Sequence, residues 1–180
     1  MRLRRLIALA MGVSIVFVQE QILTFIPNVQ FTTVLILVFA SVFTFREMVV
    51  FILVYVLLDN MVMAGLNPLI MTPMFLAWLV ILAIYYTLMQ RTTNEHVLAF
   101  FGLLIAPIYG FMFVPFVMLQ TGITELWPYI LADFPFQFIM ATANFLTILW
   151  VFAPLHARLK KEIEYTDNRS TLTQSVSKKI

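Results

Sequence analysis

The sequence predicts an all-α integral membrane protein: six transmembrane helices in a compact bundle, with both termini cytoplasmic. Three observations carry that expectation. Hydrophobic residues make up 62% of the 180-residue chain and charged residues 11%, whereas a soluble domain carries about 25% charged residues. The polar groups needed to cover a water-facing surface are absent. Long apolar runs alternate with short polar breaks, the pattern of repeated bilayer crossings. On a six-span reading, all 11 Lys and Arg residues fall at the end that holds both termini, which the positive-inside rule makes cytoplasmic. A chain of this length suits one bundle, residues 1–160. Residues 161–180 are expected to be a cytoplasmic tail without fixed structure, because 166–180 hold few large apolar side chains.

The first span follows Met1-Arg2-Leu3-Arg4-Arg5 and is apolar from Leu6 to Val18, extending towards Phe25. No small-x-small cleavage site follows, so it is expected to be retained. Ala8/Gly12 and Ala10/Ser14 are spaced by four, which puts each pair on one helix face where another helix can approach closely. Phe31 to Leu58 is apolar except for Arg46-Glu47. One long helix would bury that ion pair at membrane depth, which is costly. Two short spans would instead meet at a surface turn, Phe45–Met48. Charge decides between them: a single helix gives five spans and puts Arg91 and the basic tail outside. The breakers Gly65, Asn67, Pro68, Thr72 and Pro73 predict a loop over 61–73. Spans follow at 74–89, 97–119 (with Pro107, Gly110 and Pro115) and 129–155.

The stretch from Glu20 to Thr33 stands out because it gathers Glu20, Gln21, Asn28, Gln30, Thr32 and Thr33 around Pro27. Pro27 is expected to mark a helix end. Later segments bring Asp59, Asn60, Asn67 and Glu125 to the same outer mouth, without one Lys or Arg. In the last span Asp133, Gln137, Met140/Ala141 and Asn144 follow helical spacing and are expected on one face. Singly, such amides serve equally well as bonds between membrane helices. Together, on one side and with no cation, they point to a solute-accessible cavity. Trp78 and Tyr109 would give it flat apolar walls, while Trp127 and Tyr129 suit an interfacial aromatic belt.

Several chemistries are excluded or unsupported. The chain has no cysteine, so disulfides and thiolate catalysis or metal ligation are ruled out. His96 and His156 are far apart and form no HExxH-type pair. No catalytic residue, metal site, cofactor or nucleic-acid partner is therefore expected.

These residues resemble the substrate-binding S-component of energy-coupling factor (ECF) vitamin transporters, over roughly residues 5–160. The matching stretches are Ile26-Pro27-Asn28-Val29-Gln30, Asp59-Asn60-x-x-Met63-x-Gly65, and Pro135-Phe136-x-Phe138-x-x-Ala141-x-x-Asn144-Phe145, with the small-residue first helix. The turn at Thr44-Phe45-Arg46-Glu47 departs from the glycine-rich turn usual there. The resemblance implies a multi-pass protein of the bacterial plasma membrane that binds a vitamin from outside and delivers it inward. Its implied partners are a transmembrane coupling subunit and two cytoplasmic ATPases, because this chain lacks a GxxxxGK[ST] phosphate loop. By that analogy Ala8 and Gly12 belong to the docking face. The expected substrate contacts are Glu20, Asn28, Gln30, Asp59, Asn60, Asn67, Trp78, Tyr109, Asp133, Gln137 and Asn144.

The biotin, thiamin, riboflavin and folate branches have loop motifs not found here. By exclusion, and by its amide-rich, cation-free mouth, the chain looks most like the cobalamin branch. Pantothenate, folate or a pyrimidine precursor remain alternatives, as do an intramembrane enzyme and an assembly factor.

Overall fold

The computed structural model describes residues 3–26, 29–63, 65–122 and 124–177, with the backbone alone for Arg4 and for 164–177. It contains α1 (Leu3–Leu23), α2 (Thr32–Ala40), α3 (Phe45–Met63), α4 (Pro68–Ile84), a π-helical turn (Tyr85–Met89), α5 (Glu95–Thr121) and α6 (Leu126–Ser177). No strand occurs among the described residues. Among the described residues four helical segments are long and apolar enough to cross a membrane: Arg5–Leu23, Pro68–Met89, Glu95–Thr121 and Leu126–Ile163.

The contacts between helices show that their directions alternate. Arg5 of α1 meets Glu47 at the start of α3, and Gln21 meets Asp59 near its end, so α1 and α3 run parallel. Between them α2 runs back. Thr32 lies at Gln19 (2.7 Å), and Phe39 packs on the Phe51 ring, whose edge also borders Gly12. Phe43, just past α2, lies beneath the Arg5 guanidinium at 5.3 Å. α4 starts near α3's end, where Asn60 reaches Met74. It finishes with Tyr86 against the carbonyls of Phe43 (2.6 Å) and Ala40 (3.0 Å), which the end of α2 leaves without helical partners. α5 and α6 are antiparallel, with Gly110 beside Gln137 and Gly102 beside Asn144 and Ile148. His156 then joins Ser41 (2.7 Å) at the Arg5 end.

Helix α2 is the centre of the bundle. At 1.5 Å per residue its nine residues span about 13 Å, under half of a ~30 Å hydrocarbon core. Every residue of it but Leu35 is buried, among α1, α3 and α6. Its apolar sequence has no polar face because no side of it meets solvent.

The turn between α2 and α3 lies earlier than the sequence suggests. Ser41–Thr44 makes the reversal, and Phe45–Met48 is already the first turn of α3. The cause is a capping box, Thr44-Phe45-Arg46-Glu47. Glu47 Oε2 accepts from the Thr44 backbone N–H (2.9 Å), while Glu47 N–H approaches Thr44 Oγ1 (3.4 Å). Arg5 holds the same carboxylate through two bonds of 3.0 and 2.9 Å. Burial alone would raise the Glu47 pKa, but the Thr44 and Arg5 hydrogen bonds outweigh it and keep the carboxyl below its ordinary value.

Two further boundaries differ from expectation. The loop expected over 61–73 closes early, because Asn67 caps α4 through Leu69 N–H (3.0 Å) and Pro68 takes the first helical position. Pro73 then lies within α4. Where a tail without fixed structure is expected from residue 161, α6 instead continues to Ser177. Leu155, Leu159 and Ile163, each about one turn apart, pack against the core and carry the helix past 160.

Candidate functional site

At the end opposite Arg5 and Glu47, a small internal cavity of about 70 Å³ is lined from all six helices. α1 contributes Glu20, α2 Thr32 and Thr33, and α3 Tyr55. α4 contributes Trp78, α5 Tyr109, and α6 Met140 and Asn144, while Gln30 comes from the loop before α2. The short α2 makes this possible, because its first turn brings two threonines to the bundle axis.

The cavity's polar groups form a connected set. The Tyr55 hydroxyl donates to Glu20 Oε2, and the Gln30 side chain also bonds to Glu20. Thr32 Oγ1 donates to Gln30 Oε1 (2.9 Å) and accepts from Gln19 Nε2 (2.7 Å). Gln19 Oε1 receives the Phe31 N–H (2.9 Å), which ties the entry of α2 to α1. Asp59 acts on Glu20 electrostatically and accepts from Gln21 (3.2 Å). Across the cavity Trp78 meets Tyr109 edge to face, centroids 5.8 Å apart. Trp78 is 2% exposed, yet its Nε1–H has no partner among the described residues. A buried donor left unpaired costs about 1–3 kcal/mol, so an acceptor entering the cavity would relieve it.

Five of the eleven expected substrate contacts line this cavity: Glu20, Gln30, Trp78, Tyr109 and Asn144. Asp59 stands beside it. Asn60 is buried but turns to Val56 O (2.9 Å) and Met74 Sδ (3.4 Å), joining α3 to α4. Asn67 is the cap of α4. Asn28 lies outside the described residues. The face expected along α6 divides in two. Met140 and Asn144 face the cavity, whereas Asp133, Gln137 and Ala141 line a separate groove of about 320 Å³ between α5 and α6. In that groove Gln137 Nε2 donates to Asp133 (2.7 Å).

Tyr55 was not nominated by its sequence context, concealed as it is in an apolar run. Its spacing of four from Asp59 was the available signal, since it puts both on one face of α3. Gly12, expected on the docking face, also packs tightly within the chain. Gly12 is buried, and a Cβ there would lie 2.6 Å from Phe39 Cζ and 3.0 Å from Phe51 Cε2. The close approach it permits is within this chain. Ala8, half-buried, and Gly12 both border an outward apolar groove of about 430 Å³ with Met11, Ile15, Leu159 and Ile163.

Among the described residues no group of His, Cys, Asp and Glu is arranged to hold a metal ion. Comparison of the chain with protein-family models, curated proteins and solved structures finds no match.

Proposed function

We propose that this protein is a solute-binding membrane subunit for uptake, of the S-component type that its motifs resemble. In this reading it crosses the plasma membrane six times with both termini cytoplasmic. The observation that carries it is the cavity to which every helix contributes at the cation-free end. A bundle that only anchors or scaffolds has no need to converge a carboxylate, amides, hydroxyls and three aromatic rings on one internal space. The alternating directions support six crossings. α2 and its turn travel from the level of Gln19 back to that of Arg5, about two thirds of the length of α1, although α2 by itself is short.

The solute would enter from outside, at the cation-free end of the bundle. It would pass inward after docking onto a coupling subunit driven by partner ATPases. Docking would use the outward groove that Ala8 and Gly12 both line. The cavity volume favours a compact solute over cobalamin. At about 70 Å³ it is well below the roughly 300–1,000 Å³ of drug-sized ligand pockets.

Mass spectrometry of small molecules retained by the detergent-extracted protein tests the reading, together with uptake by cells that also express a coupling subunit and ATPases. A retained vitamin-sized solute whose uptake depends on the ATPases is expected. No retained solute and no uptake would refute it.

A further inference from the structure

The chemistry of the cavity also bears on the kind of solute it takes, an inference that rests on its being the solute site. Glu20 and Asp59 lie close together, and every Lys and Arg with a described side chain is at the opposite end, with the Arg5–Glu47 pair. Gln30 and Tyr55 give Glu20 neutral hydrogen bonds but no counter-charge. A carboxylate held inside a bundle without a cation is an expensive arrangement that a positively charged guest would relieve. The rings of Tyr55, Trp78 and Tyr109 wall the same space, and aromatic faces attract cations most strongly where water is excluded. Independently, Trp78, which lines this cavity, is buried with its Nε1–H unpaired among the described residues and calls for an acceptor on the guest. The volume of about 70 Å³ admits a head group of a few heavy atoms, since a water takes roughly 30 Å³.

We propose that the cavity binds the head group of a compact organic cation that carries a hydrogen-bond acceptor beside its charge. Glu20 faces the charge with Asp59 behind it, the three rings surround it, and Trp78 Nε1–H donates to the acceptor. Anionic solutes are repelled by the two carboxylates and find no donor of opposite charge.

The chain has three tryptophans, and Trp127 and Trp150 are exposed on the outside of the bundle (68% and 70%). Replacing both with Phe leaves Trp78 as the sole tryptophan reporter, within the cavity. The full-length protein in detergent is titrated with choline and with 3,3-dimethylbutan-1-ol, its neutral isostere. Choline should change Trp78 emission saturably in the micromolar to millimolar range, and the alcohol should bind at least tenfold more weakly. Glu20→Gln should reduce choline affinity at least tenfold with the alcohol unaffected. If Glu20→Gln lowers helix content by circular dichroism, Asp59→Asn serves instead and should weaken choline at least threefold. Equal affinity for the two probes, insensitivity to the charge-removing variant, or no saturable response to choline up to millimolar concentration each overturns the proposal. The two readings fail separately. Cation binding without ATPase-dependent uptake would refute the transport role alone. A neutral or anionic vitamin retained in the cavity would refute only the cation assignment.

Discussion

Gly12→Ala tests whether the tightest contact on α1 is internal. The added methyl carbon would lie 2.6 and 2.7 Å from Phe39 Cζ and Cε1, and 3.0 Å from Phe51 Cε2. Carbon atoms prefer about 3.5–4.0 Å, so the Phe39 ring must retreat by about 1 Å. It has little room to do so, being 7% exposed, with Phe51 at 1% behind it. Overpacking of this kind costs about 1–3 kcal/mol. Alanine's better helix propensity returns up to ~1 kcal/mol, leaving a net loss centred on about 1–2 kcal/mol within a range of about 0–3 kcal/mol. For a chain of this size each kcal/mol lowers Tm by about 2–4 °C, so thermal unfolding followed by circular dichroism should show a fall of about 2–8 °C. Phe39→Leu removes the obstructing ring edge. The double variant should therefore be more stable than the sum of the two single changes, by about 1 kcal/mol. A Tm unchanged by Gly12→Ala, combined with loss of partner-dependent uptake, would refute this reasoning and return Gly12 to a docking face.

Tyr55→Phe removes the hydroxyl that donates to Glu20 and should destabilise the protein by about 1–3 kcal/mol. It should also weaken solute retention, as measured by the same melt and by mass spectrometry. Single cysteines placed at Thr92 and Gly122, in a chain with no cysteine of its own, should label differently with an impermeant thiol reagent outside whole cells. Gly122 should react, and reaction at Thr92 would overturn six crossings. Because Glu47 is held below its ordinary pKa of 4.5, its stabilising contribution is complete at neutral pH. It is lost as pH falls below about 4.5 and through the depressed native value. Glu47→Gln should therefore flatten the acid limb of a Tm-against-pH curve, and an unchanged limb would show that the capping box and Arg5 do not control it. Gly110→Ala would put a methyl 2.1 Å from Gln137 Nε2. Gln137 should swing away and lose its bond to Asp133, at a cost of about 0.5–1.5 kcal/mol, with helix content unaltered by circular dichroism.

The all-helical class, the apolar helices long enough to cross a membrane and the sorting of charge to opposite ends were all legible in the amino-acid sequence, because they follow from composition and period along one dimension. Glu20, Gln30, Trp78, Tyr109 and Asn144 could be nominated from it, since polar or amphipathic groups in apolar segments are conspicuous there. The capping residues at Thr44–Glu47 were also visible, though their effect in shifting the turn was not. Which polar groups converge was a matter for packing in three dimensions. Asn60 and Asn67 have the same composition-level signature as Asn144, but one bonds across to Met74 and the other caps α4, because side-chain direction depends on how each helix is rotated about its axis. Tyr55 reached the cavity by that same rotation. Gly12 shows the limit most clearly: four-residue spacing says that something approaches closely, and only packing reveals that it is Phe39 of the same chain, because helix periodicity fixes a face but not what lies against it.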